Sequence, residues 1–478
     1  MSIEQKAFGL AFVTSSLLFI AMGQGSIASS DDALYAQMAF EMAQSGSWLT
    51  ATWMGVDVFE KPPLLLWMLR IFGPPLGWSE FSLRLPGVIA AFVTLYYMIR
   101  LAYAETESAL PGVVAGLATL ATLTFTLNAR RPMTDALLCA ALMATIWYTL
   151  CLSLKPHRGA YIGLGIAGGL GLLAKWVAMG PVALVSALAL VRMRRSKELV
   201  WSIAIALLIA GPWFIAMSAH HGSEFWRVFL GYHVLERAGA SLVGSEPLSF
   251  YLETLWELDG GFGLLLLSGL ILAPFMRRGR LTWLLVSSAL VTLLVIHLSS
   301  TRLYHYLMPV IPLAALSLAI TLAKERIALG AFACFSLLAF LLGPLDPTLL
   351  RPDFAPSSKA LGASLSLAPE DAEIISWEDY DPAMMWYAKR PIRIWTQSES
   401  MARAQNSIDM MRRSKAVVFA TPERLKALGE KANPIFVVAP KERASGLLRW
   451  IQGLTHRSVG VDAESSEHHI VVRLGAMT

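Results

Sequence analysis

The chain has 478 residues and a mass of 52.2 kDa. Hydrophobic residues make up 55% of it and charged residues 15%, with a mean hydropathy of +0.55, whereas a soluble chain is about 25% charged. That composition excludes a disordered, collagenous, coiled-coil or disulfide-rich secreted protein and leaves a polytopic membrane protein.

Charge is unevenly placed. About a quarter of residues 351–478 are charged, against about one in eight of the first 350. A membrane domain over 1–345 followed by a soluble domain over 346–478 is therefore expected. The net charge of +5 does not point to nucleic acid. The basic excess sits in short loops between apolar segments, where it sets topology. Cys139, Cys151 and Cys334 all lie in apolar segments, so no disulfide framework or paired-cysteine metal site is expected.

A helix needs about 20 apolar residues to cross a bilayer. Segments near 7–23, 82–102, 109–127, 134–153, 159–175, 177–191, 199–218, 260–276, 281–298, 305–322 and 327–344 read as spans, about eleven in all, with the two short segments on either side of Lys175 open to being one re-entrant pair. Lys155 and Arg158, Arg192 to Lys197, Arg277 to Arg280, and Lys324 with Arg326 occupy alternate short loops, which places those loops and the N-terminus in the cytoplasm. The segments 24–80, 128–133, 219–258 and 299–304, and the soluble domain, then face the other side. They hold most of the remaining ionisable groups, so binding or chemistry is expected there.

The first of these segments begins Asp31-Asp-Ala-Leu-Tyr35. Residues 33–44 have apolar positions at helical spacing and read as a helix lying in the membrane interface, with Asp31 or Asp32 as its cap. Phe59-Glu-Lys-Pro-Pro63 sets an acid and a base beside a rigid turn, followed by an apolar stretch too short to span. An ammonium such as Lys61 at a membrane surface suits a lipid phosphate or snorkels to the headgroups. Arg130, Arg131 and Asp135 cluster at a span boundary and suit an anion site or a helix cap. His233 and Arg237 share one helix face, and Arg302, Tyr304 and His305 add a cation, a phenol and an imidazole. Beyond residue 346, 373–376, 392–395, 416–420, 434–438 and 469–473 read as short strands. Helices near 399–413, 421–431 and 441–452 make this a small α/β domain.

In combination, Asp31-Asp-Ala-Leu-Tyr35, Phe59-Glu-Lys-Pro-Pro63, Arg84-Leu-Pro86, Thr134-Asp135, Gly231-Tyr-His233 and Arg302-Leu-Tyr304 resemble the lipid A aminoarabinose transferases and the related protein O-mannosyltransferase-like membrane enzymes. The resemblance covers most of the first 320 residues. It implies the GT-C fold, a mainly α-helical polytopic architecture with interfacial helices and a C-terminal extracytoplasmic domain. It further implies a glycosyltransferase, inverting by single displacement, in a bacterial inner membrane with the soluble domain in the periplasm.

Carried over residue by residue, the resemblance makes Asp31 the principal catalytic carboxylate and Asp135 a second acid. Lys61 holds the donor phosphate, and Arg130, Arg131, Arg237 and Arg302 are further phosphate-facing cations. Asp32, Tyr35, Tyr304 and His305 become donor or acceptor contacts. Glu60 and His233 match positions for a divalent metal such as zinc or magnesium, and the resemblance does not by itself require a cofactor. Two departures stand out. Asp32 and Leu34 replace an acid and an arginine in the first motif, so Leu34 removes a cation. The family's Thr-Lys-Gly-Pro element becomes Ala174-Lys175 with Gly180-Pro181 displaced from it.

The implied partners are a polyprenyl-phosphate sugar, membrane lipids, and an acceptor that is lipid A, lipopolysaccharide core or another envelope glycan rather than protein. A protein O-mannosyltransferase-like enzyme is the alternative within the class. A lipid-linked-sugar flippase and a non-catalytic glycolipid-binding protein are the alternatives outside it. A flippase predicts mid-span charges and an inverted repeat, and the sequence shows few of the first and no obvious instance of the second.

Overall fold

The computed structural model describes residues 2–236, 246–346, 353–399, 401–402, 409–430, 433–443, 459–461 and 469–474. Its helices, in chain order, are α1 (Ile3–Ser16), α2 (Asp31–Ser45), α3 (Leu64–Phe72), α4 (Glu80–Thr106), α5 (Leu110–Leu120), α6 (Leu123–Ala129), α7 (Thr134–Leu154), α8 (Arg158–Arg192), α9 (Ser196–Trp226), α10 (Phe250–Glu257), α11 (Phe262–Met276), α12 (Arg280–Leu298), α13 (Val310–Leu322), α14 (Arg326–Leu342), α15 (Pro356–Leu365), α16 (Pro382–Ala388), α17 (Asp409–Ser414) and α18 (Pro422–Gly429). The strands are β1 (Ala51–Trp53), β2 (Val56–Val58), β3 (Glu373–Trp377), β4 (Arg393–Thr396), β5 (Val417–Phe419), β6 (Ile435–Pro440), β7 (Val459–Val461) and β8 (His469–Leu474). They form two units. One comprises Met1–Gln24 with Phe59–Pro352, the other Gly25–Val58 with Asp353–Thr478.

The first unit is helical. Among the described residues, six helices are long and apolar enough to cross a membrane. The pair α5 and α6, bent by 80°, makes a seventh, and α11 and α14 are shorter apolar helices. The two spans read around residue 175 form one helix, α8, with a break at Lys175 (φ −160°, ψ 72°). Its halves fold back on each other. Gly171 lies against Met179, while Leu190 joins Ala160, Leu164 and Leu152 in one buried cluster. Each half is roughly 25 Å long, so Lys175 sits at the vertex of a helical hairpin.

Glycine makes the packing around that hairpin close. A Cβ at Gly163 would meet the Tyr148 ring at 2.3 Å, and one at Gly165 would meet Ile205 at 2.6 Å. The glycines of 163–171 therefore serve contacts inside this chain.

The second unit is built on a six-stranded sheet of order β5-β4-β3-β6-β8-β7. β5, β4, β3 and β6 are parallel, and β8 and β7 run antiparallel. All five strands read from the tail form, and β7 is added. Residues 444–452, read as part of a helix, lie outside the described residues, as do 403–408.

The segment 25–58 was assigned by sequence to the membrane domain, but it packs with residues 353–478. Ser26 pairs with Asp353, its Oγ accepts the Ala355 N–H at 2.7 Å, and Lys359 Nζ donates to the Gly25 carbonyl at 2.7 Å. The apolar face of α2, expected in the membrane interface, is covered by protein. Phe40 meets the Trp386 ring edge-on at 6.0 Å, and α2 also packs on β1. An apolar stripe on a helix demands cover, and its pattern does not say whether lipid or protein supplies it. Glu41 pins the adjoining hairpin by accepting the N–H groups of Met54 (3.0 Å) and Gly55 (3.3 Å). Both turn residues have positive φ, the geometry of a two-residue hairpin turn.

Candidate active site

In the first unit, polar groups converge at one end of the helices, opposite the short basic loops. Asp135 lies in the first turn of α7 and is 1% exposed. Its Oδ1 accepts a bond from Lys175 Nζ at 2.8 Å. Its Oδ2 is buried with no hydrogen-bond partner. The Lys175 ammonium also lies over the Tyr306 ring, 4.7 Å from its centre. His305, 8% exposed, and Lys61 are the other charged or ionisable neighbours that act on Asp135. A buried carboxylate with one free acceptor oxygen, ringed by cations, can take a hydrogen bond from a polar ligand while the cations meet an anionic one.

The 128–131 turn supplies the second half of this cluster. Arg131 donates to the Tyr304 hydroxyl, and that hydroxyl donates to Asn128 Oδ1 at 3.4 Å. Asn128 Nδ2 in turn donates to the Thr124 carbonyl at 2.8 Å. The turn approaches α4 closely enough that a Cβ at Gly87 would lie 2.4 Å from the Ala129 carbonyl oxygen. Arg84, 1% exposed, donates to the carbonyls of Met22 (2.7 Å) and Gln24 (2.6 Å). The Arg84-Leu-Pro86 motif thus fastens the chain after α1.

Arg130 and Arg302, both read as phosphate-facing, bind main-chain carbonyls. Arg130 donates to the Ile20 carbonyl at 2.7 Å, and burial, reinforced by Arg84, pushes its pKa down to about 10. Arg302 donates to the carbonyls of Glu246 and His297, closing the end of α12. Arg131 donates to a side chain of the cluster, the Tyr304 hydroxyl.

The remaining residues fall elsewhere. Arg237 and the side chain of His233 lie outside the described residues. Glu60 is partly buried, and Phe59 beside it packs on the His221 ring at 4.6 Å. Among the described residues no three His, Cys, Asp or Glu side chains cluster as metal ligands would.

Asp31, Asp32 and Tyr35 belong to the second unit. Ser30, not either aspartate, is the N-cap of α2. Asp32 and Tyr35 are buried at 1% and 4% exposure. Asp31 is partly exposed and makes no hydrogen bond or ion pair among the described residues. A carboxylate at a helix N-terminus with no partner is available to a ligand.

Sequence reasoning singled out Lys175 as a displaced motif residue and as the break between two short apolar segments that could form a re-entrant pair. A lone lysine between two apolar stretches was the available signal. Tyr306 was legible only as a phenol on the outer face and Asn128 carried no signal, because their roles come from which elements meet.

These features define a multi-pass membrane protein of the GT-C fold with a small α/β unit. Over 98% of its length the chain superposes on 97% of a crystal structure of ArnT from Cupriavidus metallidurans bound to undecaprenyl phosphate, with a TM-score of 0.75 and 18% sequence identity. The apo structure of the same protein gives the same TM-score over 97% of each chain. Residues 60–215 match the family model of dolichyl-phosphate-mannose-protein mannosyltransferases. The chain is also similar to the undecaprenyl phosphate-α-4-amino-4-deoxy-L-arabinose arabinosyl transferase 1 of Pseudomonas fluorescens, at 27% identity over 339 residues, 66% of this chain and 60% of the relative. The corresponding Serratia proteamaculans enzyme is 27% identical over 305 residues, 60% of this chain and 54% of that one. The match thus spans less than two thirds of these curated relatives.

Proposed function

We propose that the protein is an integral-membrane glycosyltransferase that moves a sugar from a polyprenyl-phosphate donor to lipid A or another envelope glycolipid. The observation that carries this reading is the buried Asp135–Lys175 pair, with its free carboxylate oxygen and its ring of cations, on a fold shared along the chain with a protein crystallised with undecaprenyl phosphate. The names of the curated relatives support a polyprenyl-phosphate sugar as the donor, and the acceptor is the one implied by the motif resemblance. The alternating basic loops support a cytoplasmic N-terminus and a periplasmic second unit.

In the reaction, an acceptor oxygen forms a bond to the anomeric carbon as the bond from that carbon to the donor phosphate breaks. The electron pair leaves with polyprenyl phosphate. Lys61 and Lys175 stabilise the charge that develops on this leaving group, and Arg131 holds the donor phosphate equally in the bound state and during transfer. If the acceptor is a hydroxyl, Asp31 takes its proton. If it is a phosphate, no proton moves and Asp31 orients it. Attack opposite the leaving group inverts the anomeric centre. Should a divalent metal bind at Glu60 and His233, it would add positive charge near the phosphate.

The test is transfer by purified protein in detergent, from a panel of polyprenyl-phosphate sugars to lipid A and to peptide acceptors, beside Asp31→Asn. Transfer to lipid A that disappears in the variant is expected. Transfer to peptide alone would shift the acceptor to protein. Bound polyprenyl phosphate without turnover from any donor would point to a transport or binding role.

A further inference from the structure

Asp259 has no part in the reaction as written, yet it is a partly buried carboxylate between α10 and α11. Burial raises its pKa, and hydrogen bonds from Thr124 and Leu123 oppose that rise. Its Oδ1 accepts the Thr124 N–H at 3.0 Å and its Oδ2 accepts the Thr124 hydroxyl at 2.8 Å. Thr124 is in the first turn of α6, whose own N-cap residue, Thr122, makes no side-chain capping bond. The Thr122 hydroxyl instead donates to the Thr119 carbonyl at 2.8 Å. Asp259 therefore caps α6 from 135 residues away, immediately after the 80° bend that joins α5 to α6.

The local sequence is shaped for this contact. Gly260 and Gly261 have φ of +59° and +80°, which turn the chain sharply after Asp259. A Cβ at Gly263 would lie 2.8 Å from Asp259 Oδ2, so a larger residue there would displace the carboxylate.

The capped helix leads directly to the 128–131 turn, which carries Arg131. Asp259 holds Thr124, Thr124 accepts from Asn128, Asn128 accepts from Tyr304, and Tyr304 accepts from Arg131. This is one unbroken chain of hydrogen bonds within the first unit. We propose that Asp259 is a positioning residue, which through this chain and the direction it gives α6 holds the Arg131 guanidinium in place for the donor phosphate. The inference rests on the glycosyltransferase reading above for the identity of the anion.

The experiment is a double-mutant cycle in purified full-length protein. Donor KM, kcat and the Kd for undecaprenyl phosphate are measured for wild type, D259A, R131A and D259A/R131A, with thermal unfolding recorded alongside. D259A should raise donor KM and Kd about tenfold and leave kcat within about threefold, the signature of lost ground-state binding. D259N, whose amide oxygen still caps a helix, should stay within about threefold of wild type. The double variant should be no worse than R131A, because both changes remove the same interaction.

Additive effects of D259A and R131A would overturn the role, as would a fall in kcat alone. If D259A does not fold, T124V, which deletes the hydroxyl contact in a near-isosteric side chain, should raise KM and Kd in the same non-additive way. A wild type that binds undecaprenyl phosphate but transfers no sugar sinks the glycosyltransferase reading only. The cycle is then decided by Kd. A wild type that binds none overturns both.

Discussion

The ammonium of Lys175, at the vertex of the α8 hairpin, lies 2.8 Å from Oδ1 of Asp135 in the first turn of α7. The pair is 40 residues apart in sequence and nearly closed to solvent, with side-chain exposures of 21% and 2%. Removing one partner of such a pair leaves a charge without compensation. K175M or D135L alone should cost about 3 kcal/mol of stability, and D135L/K175M should recover most of it. Transfer should stay abolished in all three, since the double change restores packing and not chemistry. Thermal unfolding in detergent together with turnover decides this. A double variant as unstable as the singles would mean that the pair is not what holds α7 to α8.

Asp31 should behave in the opposite way. Its carboxylate makes no hydrogen bond or ion pair among the described residues, so D31N should leave thermal stability unchanged. Transfer should fall about a hundredfold or more, the usual contribution of a general base. Undiminished turnover would remove Asp31 from the mechanism, and a large loss of stability would show that it has a structural partner.

Tyr304 joins Asn128 to Arg131 through a single hydroxyl. Y304F keeps the ring and deletes that link. Donor affinity should weaken about fivefold to tenfold, in line with the loss of one hydrogen bond to a charged group. Measuring the Kd for undecaprenyl phosphate in Y304F and R131A checks this. A normal Kd in Y304F would mean that Arg131 is held by other contacts.

Arg84 is a structural arginine. R84A removes two bonds to main-chain carbonyls and leaves those of Met22 and Gln24 in need of new donors. The expected loss is about 3 kcal/mol, with lysine restoring part of it. If R84A unfolds like the wild type, the chain after α1 does not depend on this anchor.

In the second unit, Glu41 accepts two N–H groups of the hairpin turn at Met54 and Gly55. E41A should destabilise the unit by about 1–2 kcal/mol and speed proteolysis at 54–55. A cleavage rate equal to that of the wild type would show that the hairpin holds itself.

Much of this protein is determined by sequence alone. Apolar runs of the right length specify membrane helices wherever they occur, and the alternation of basic loops orders them, because each effect depends only on local composition. The strands of the tail and the short helix Leu64–Phe72 were legible for the same reason. Tertiary structure decided the rest. Residues 25–58 were assigned to the membrane domain by position in the chain, yet their apolar face is buried on residues 353–478, since a hydrophobic stripe is satisfied by any apolar partner. Two of the arginines read as phosphate ligands bind carbonyls, because a guanidinium near an uncapped helix end or turn meets main-chain oxygen first. The pairing of Asp135 with Lys175, and the chain from Asp259 to Arg131, depend on which helices pack together and where one of them breaks. Sequence spacing carries no information on such long-range contacts.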